Sequence, residues 1–242
     1  MTTFIKKETI SRLLKDVKYI IKNPLTENGI YYIHDDADIM KGYALIIGPS
    51  ETPYFGGYYF FELNYPTDYP HSPPKVTYCT NGDNIRFNPN LYTSGKVCVS
   101  LLNTWRGDQW TSCQSINTVL LTLCSLLSSD PLLNEPGVSE KHADMKPYNE
   151  IIFYSNINIA VCDIVQKKPG VFFPFFENFY PNIKDNFLKN YDNLLEFSEN
   201  KLKTFKGVSK EFRTGFYSMR INVDYSNLIE KIKQTKQIME IM

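Results

Sequence analysis

Apolar residues at Ile10, Leu13, Leu14, Val17, Ile20 and Ile21 recur at spacings of three, four and seven. That period predicts an amphipathic helix, with Lys6, Lys7, Arg12, Lys15, Lys18 and Lys22 along its start and polar sides. Asn23-Pro24 ends it, because the residue before proline is pushed out of the helical region. Four short strand signals follow: Ile30 to Ile33, Tyr43 to Ile47, Tyr58 to Leu63 and Val76 to Cys79. Glycines and prolines separate them, which predicts an antiparallel meander. Between the third and fourth strands runs Tyr65-Pro66-Thr67-Asp68-Tyr69-Pro70-His71-Ser72-Pro73-Pro74-Lys75. Its four prolines exclude regular structure and predict a stiff connection.

Helical period returns at Ile116, Val119, Leu120, Leu123, Leu126 and Leu127, with Ser115 as N-cap and Asp130-Pro131 as the stop. This segment is apolar enough to be a buried central helix. Leu132 to Gly137 is a loop carrying one acid, Glu135. Tyr148 to Ile164 reads as a further helix. Lys167-Lys168-Pro169-Gly170 then marks a boundary, beyond which Phe172, Phe173, Phe175, Phe176, Phe179 and Tyr180 cluster around Pro174. A helix through Ile183, Phe187, Tyr191, Leu194 and Leu195 is expected next, then a polar loop from Lys201 to Lys210. A last helix is expected from about Ser226.

Length and composition narrow the class. The chain has 242 residues, with 17 Tyr and 16 Phe to fill a core, enough for one large domain or a medium one with an extension. Its 26 basic and 26 acidic residues balance, which argues against a general nucleic-acid binder. No apolar run approaches membrane-spanning length, and Lys6-Lys7-Glu8 is not followed by the apolar core of a signal peptide. The five cysteines, Cys79, Cys98, Cys113, Cys124 and Cys162, are odd in number and form no CxxC pair. Free thiols in a reducing compartment, cytoplasmic or nuclear, are therefore expected. With only His34, His71 and His142 scattered among them, no metal site is expected. Cys113 and Cys124 have no chemical partner nearby in sequence and are expected to be packing residues.

Candidate chemistry concentrates between Arg86 and Leu102. An Asn88-Pro89-Asn90 turn stands eight residues before Cys98, and the chain's two tryptophans, Trp105 and Trp110, follow. A cysteine on a loop beside a fixed amide suits acyl transfer through a thioester, since the thiolate attacks a carbonyl and the amide can donate to the oxyanion. A structural thiol packed against a turn fits the residues equally well. His71 lies in the stiff proline segment and is expected at the surface, not paired with Cys98. The lysines of the first helix fit a solvated face, or a docking face for an acidic partner.

Several motifs carry a resemblance. Gly48-Pro49 with Thr52-Pro53-Tyr54-Phe55-Gly56-Gly57, Tyr69-Pro70 with Pro73-Pro74-Lys75-Val76, the Asn88-Pro89-Asn90 turn, Gly95-Lys96-Val97-Cys98, Trp105 and Trp110 together resemble the ubiquitin-conjugating enzymes over roughly residues 8 to 165. Asn88-Pro89-Asn90-Leu91-Tyr92, Ser100 to Gly107, Asn134-Glu135-Pro136-Gly137, Tyr148-Asn149-Glu150 and Ala160-Val161-Cys162-Asp163 are similar to the large Z-type members, which carry a helical C-terminal extension. The resemblance implies an α+β fold: an N-terminal helix, a four-stranded antiparallel meander and a buried central helix in a catalytic core of residues 1–165, with a helical extension over 166–242.

The same resemblance implies a function. Cys98 would accept ubiquitin, or a related modifier, as a thioester from an activating enzyme. It would pass the modifier to a substrate lysine or through a ligase. Asn90 matches the family's motif asparagine, for the oxyanion, the loop or both. Asn88 stands where His is usual. Ser100 falls at the family's gate position, without the usual acid, and Glu135 near the acid that orients or deprotonates the lysine. Lys6, Lys7 and Arg12 would face the activating enzyme. Tyr69, Pro70 and Pro73 would face the ligase. No nucleotide-cradling glycine loop is present, so no cofactor is expected and ATP belongs to the activating enzyme. The rivals are a catalytically weak ubiquitin-binding or scaffold member of the fold, and a cysteine hydrolase using His71 or His142.

Overall fold

The backbone of the computed structural model, which describes residues 5–241, begins with α1 (Lys7–Lys22). Leu13, Val17 and Ile20 are buried on its inner face together with Thr9 and Asp16, while Leu14 and Ile21 of the expected stripe point to solvent. The helix closes where the Asn23 backbone and side-chain amides both donate to the Tyr19 carbonyl.

The meander follows in order: β1 (Ile30–His34), β2 (Lys41–Ile47), β3 (Tyr58–Asn64) and β4 (Lys75–Tyr78), each antiparallel to the next. Ile30 pairs with Ile46, Ile47 with Tyr58 and Leu63 with Val76. Tyr58 to Phe61 are four successive residues with no exposure. A strand with one wet face alternates, so this run requires cover on both faces. Tyr59 points to one side, against Tyr54 and Phe87. Tyr58 and Phe60 point to the other, where the C-terminal region packs: Tyr58 donates to the Ile183 carbonyl (3.1 Å), and Phe60 stacks on Phe176 with centroids 4.0 Å apart. The glycines of the loop between β2 and β3 permit close packing. A Cβ on Gly48 would sit 1.7 Å from the Tyr54 carbonyl oxygen.

Next comes α2 (Ile116–Ser125), with Ile116, Val119, Leu120 and Leu123 buried. Only its inner face is covered, since Leu121 is 44% exposed. Its N-cap is Ser115, whose backbone N–H donates to Thr118 Oγ1. Then α3 (Met145–Ser155) runs without a break into a π-helical segment, Asn156–Asp163. The expected uniform helix is thus widened over eight residues, seven of them buried. Within the widened segment Asn156 accepts from Tyr59 Oη (2.7 Å) and donates to the Phe55 carbonyl (2.9 Å).

The C-terminal region is a helical extension, with a hairpin between its two helices that the sequence did not announce. A 3-10 turn, Pro174–Phe179, leads into α4 (Tyr180–Thr204), which absorbs the start of the expected polar loop. A hairpin of β5 (Lys210–Arg213) and β6 (Arg220–Val223) follows, then α5 (Tyr225–Ile241). The strands are four residues each and mostly exposed, so they carry little periodic signal. Nor does the region stand off from the rest. Lys231 pairs with the buried Asp163 (2.6 Å) and donates to the Asn158 carbonyl, and Gln166 donates to Thr235 (2.7 Å). One continuous cluster of buried apolar residues runs from Leu13 to Met239.

Candidate active site

Cys98 lies on the loop between β4 and α2, which no regular ladder holds. Asn90 holds it instead. The Cys98 N–H donates to the Asn90 carbonyl (2.9 Å), and Asn90 Nδ2 donates to the Cys98 carbonyl (2.6 Å). Asn90 is set in turn by Asn88, whose Oδ1 accepts the Asn90 N–H (2.9 Å). Asn88 is fully buried, and its Nδ2 donates to the Leu126 carbonyl (2.7 Å) and to Tyr54 Oη (3.1 Å). Tyr54 Oη donates to the Phe87 carbonyl (2.6 Å). The turn is therefore bolted to the end of α2 and to the loop after β2, and the cysteine inherits that rigidity. Asn90 Oδ1 is buried and has no hydrogen-bond partner among the described residues.

Downstream, Thr104 clasps the other side of the loop. Its Oγ1 accepts the Val99 N–H (2.9 Å) and donates to the Val99 carbonyl (3.0 Å), while Cys98 Sγ lies 3.6 Å from the Thr104 carbonyl oxygen. Ser100 is half-buried at the head of a 3-10 turn, Ser100–Leu102, and the chain at Gly107 folds back over it. The tryptophans divide. Trp110 is buried and donates to the Pro70 carbonyl (2.7 Å), whereas Trp105 is 43% exposed. A groove of about 500 Å³, lined by Pro73, Thr77, Lys96, Val97, Leu102 and Thr104, flanks the cysteine loop.

Among the thiols, burial pushes Cys79 up to about 12 and Cys162 up to about 11, and it also raises Cys124, so these stay protonated. Cys124 is half-buried. Cys113 is exposed, against the expectation of a packing residue, because the loop before α2 puts it on the wall of an open surface groove with Arg12, Lys15 and Lys18. Neither histidine of the hydrolase reading bonds to Cys98. His71 faces Ser112, and His142 accepts the Asp144 N–H and packs on Phe216. Among the described residues no group of three or more His, Cys, Asp or Glu is placed to hold a metal, and no helix is long and apolar enough to cross a membrane.

The expected docking residues separate by exposure. Lys6 and Lys7 are exposed at the start of α1. Arg12 is not a free charge. Its guanidinium bonds to Asp16 (3.0 Å) and to the Ser112 and Gln114 carbonyls (2.6 Å each), tying α1 to the loop before α2. Tyr69 is buried and donates to the same Asp16 (2.5 Å), so its side chain positions the proline segment and offers a partner no surface. Pro70 and Pro73 remain half-exposed.

Three residues with no assigned role in the sequence reading also meet here. The Arg86 guanidinium stacks over Tyr92 at 3.4 Å and faces Tyr217 at 4.9 Å, while donating to the Asn88 (3.1 Å) and Pro89 (2.7 Å) carbonyls. Glu135, half-buried after a 3-10 turn (Pro131–Asn134), accepts a hydrogen bond from Tyr217 Oη. Arg86 lies within the candidate stretch, but Tyr217 sits 119 positions after Cys98 and nothing in the sequence marks it.

A four-stranded meander with a cysteine loop pinned by an asparagine turn defines an α+β protein with a rigidly presented thiol. Comparison with known proteins makes the class specific. A family model for ubiquitin-conjugating enzyme matches residues 12–158, and the chain belongs to that family. It is 36% identical over 233 residues to Ubiquitin-conjugating enzyme E2 Z of Homo sapiens, covering 95% of this chain and 63% of the human protein. It is 37% identical to the E2 Z of Danio rerio, covering 94% of this chain and 67% of that protein. A Caenorhabditis elegans relative, Probable ubiquitin-conjugating enzyme protein 17, is 33% identical over 94% of this chain and 34% of its own length. The chain thus spans under two thirds of the length of the human relative.

Proposed function

We propose that the chain is a ubiquitin-conjugating acyltransferase that carries ubiquitin, or a related modifier, as a thioester on Cys98. The observation that carries this reading is the reciprocal pair of hydrogen bonds between Asn90 and the Cys98 backbone, which fixes a thiol beside an amide donor. In loading, Cys98 Sγ attacks the thioester carbonyl on an activating enzyme, a new C–S bond forms and the enzyme's thiolate leaves. The acyl group is already activated, so exchange between the two thiols proceeds without a dedicated base beside the nucleophile. ATP is consumed by the activating enzyme, and this chain needs no cofactor of its own.

Transfer to lysine is the demanding step. The amine nitrogen attacks the carbonyl carbon, the C–N bond forms, the nitrogen loses a proton and Cys98 thiolate departs. One Asn90 Nδ2 hydrogen is held by the Cys98 carbonyl, and the second is the donor for the oxyanion. Ser100 supplies no carboxylate at the mouth of the loop, and Glu135 is the acid that orients the amine. Lys6 and Lys7 form the docking charge for the activating enzyme. Pro70 and Pro73 belong to the ligase-facing end.

The test is a loading assay with ATP, ubiquitin and an activating enzyme, resolved without reductant beside Cys98→Ala. The expected result is a thiol-sensitive band one modifier heavier, absent from the variant. A band that persists in Cys98→Ala overturns the nucleophile. No band with ubiquitin or any related modifier favours a ubiquitin-binding scaffold.

A further inference from the structure

We propose that Tyr217, on the turn between β5 and β6, is a positioning residue for the amine-transfer step and acts through Glu135. The inference rests on the transfer reading above. It places part of the catalytic apparatus in the C-terminal region, far in sequence from the cysteine.

The first observation is the contact itself. Tyr217 Oη donates to Glu135 Oε2, and among the described residues Oε1 has no hydrogen-bond partner. One oxygen is therefore fixed and the other is left for an incoming amine. Burial, and then the bond to Glu135, hold the phenol well above its ordinary ionisation range, so it remains a donor wherever the protein is folded.

The second observation is how firmly the turn is held. Thr214 N–H donates to the Met219 carbonyl (3.0 Å), Phe216 N–H to Asp144 Oδ2 (2.8 Å) and Thr214 Oγ1 to the Phe216 carbonyl (2.7 Å). Met219 is buried, and its sulfur accepts the Arg86 N–H (3.3 Å). Tyr217 and Ser218 both adopt the left-handed region, at φ +61° and +48°. Such a conformation persists only where its surroundings over-determine it. The strained residue is the one whose side chain reaches the acid.

The third observation links the two sides of the site. The Tyr217 ring faces Arg86, and Arg86 grips the carbonyls of Asn88 and Pro89. One tyrosine therefore sets the acid-bearing loop against the turn that sets Cys98. In the transfer step the free Oε1 of Glu135 accepts the amine N–H, aligns the nitrogen lone pair with the thioester carbon and takes the proton as the C–N bond forms. Without the phenol the carboxylate swings, and fewer encounters are productive.

A mere clamp would give the same contacts, so the test separates the two. Thioesters of the wild type, Tyr217→Phe, Glu135→Gln and the double variant are isolated and discharged with free L-lysine over a range of concentrations. Tyr217→Phe removes one oxygen and keeps the ring over Arg86. Its maximal discharge rate is expected to fall about 3- to 30-fold, below the ~100-fold that misplacing a reacting group by 1 Å can cost, with a smaller change in KM for lysine. In the Glu135→Gln background the same change is expected to add nothing. Glu135→Asp, which withdraws the carboxylate from the phenol, breaks the bond from the other side and should also slow discharge. Wild-type discharge by Tyr217→Phe overturns the proposal, as does equal slowing in both backgrounds, which marks a clamp. If no form of the chain loads a modifier, the transfer reading fails first and the role of Tyr217 falls with it.

Discussion

Phe176→Ala tests whether the C-terminal region and the sheet unfold as one body. The Phe176 side chain has no exposure and stacks on Phe60 at 4.0 Å, with Phe175 at 4.6 Å and the edge of Tyr43 at 5.9 Å. A ring of this kind buries roughly 150–250 Å². At about 25 cal/mol per Å² that is about 4–6 kcal/mol. Residual burial in the unfolded chain lowers the figure, and measured Phe→Ala losses run about 3–5 kcal/mol. Taking ~4 kcal/mol, a chain of this length should lose about 8–16 °C of melting temperature. The assay is urea unfolding followed by two probes. Fluorescence of Trp105 and Trp110 reports the cysteine loop, and far-UV circular dichroism reports the helices, of which α4 and α5 are the two longest. Both curves should move together to a lower midpoint. An early helical transition with an unmoved tryptophan signal would refute the argument, as would a loss under about 1 kcal/mol. The same geometry makes deletion beyond residue 166 a poor test of function. It would strip Phe172, Phe176 and Phe179 from Phe60, leaving a sheet face open to aggregation.

Asn90→Ala removes a 2.6 Å bond to the Cys98 carbonyl and the amide donor together. Discharge to lysine should slow on the order of a hundredfold more than loading does, in single-turnover assays of each step; equal slowing would leave Asn90 only a loop-holding role. Reversing Lys6 and Lys7 to Glu should slow loading at low enzyme concentration, most strongly at low salt. Salt-independent loading at the wild-type rate would return that face to solvation. Arg12 is left out of this test, because its guanidinium holds Asp16 and two carbonyls and reversal there would damage the loop before α2.

Local chemistry is legible where short-range rules act. The stripe at Leu13, Val17 and Ile20, the stop at Asn23-Pro24, the β-branched and aromatic strands, and the Asn88-Pro89-Asn90 turn each follow from neighbours within a few residues. The run Tyr58 to Phe61 even announces a strand covered on both faces, though not by what. Cys113 shows the limit, since a cysteine without chemical neighbours is assigned to packing and this one is exposed. The hairpin of β5 and β6 shows another. Its exposed four-residue strands are stabilised by pairing and by the contacts of Phe212 with Phe205, not by any pattern of their own.

The sequence alone therefore determined the meander, the central helix, the family and the position of Cys98 beside its asparagine turn. These rest on periodicity and on motifs compact enough to be read along the chain. Tertiary structure decided which charges are free and which acid is held. Arg12 is held by the Ser112 and Gln114 carbonyls, Tyr69 is turned inward by Asp16, and Glu135 is bound by Tyr217 from 82 residues away. A side chain's partner depends on which surfaces the fold brings together, and no local rule carries that information across such a separation.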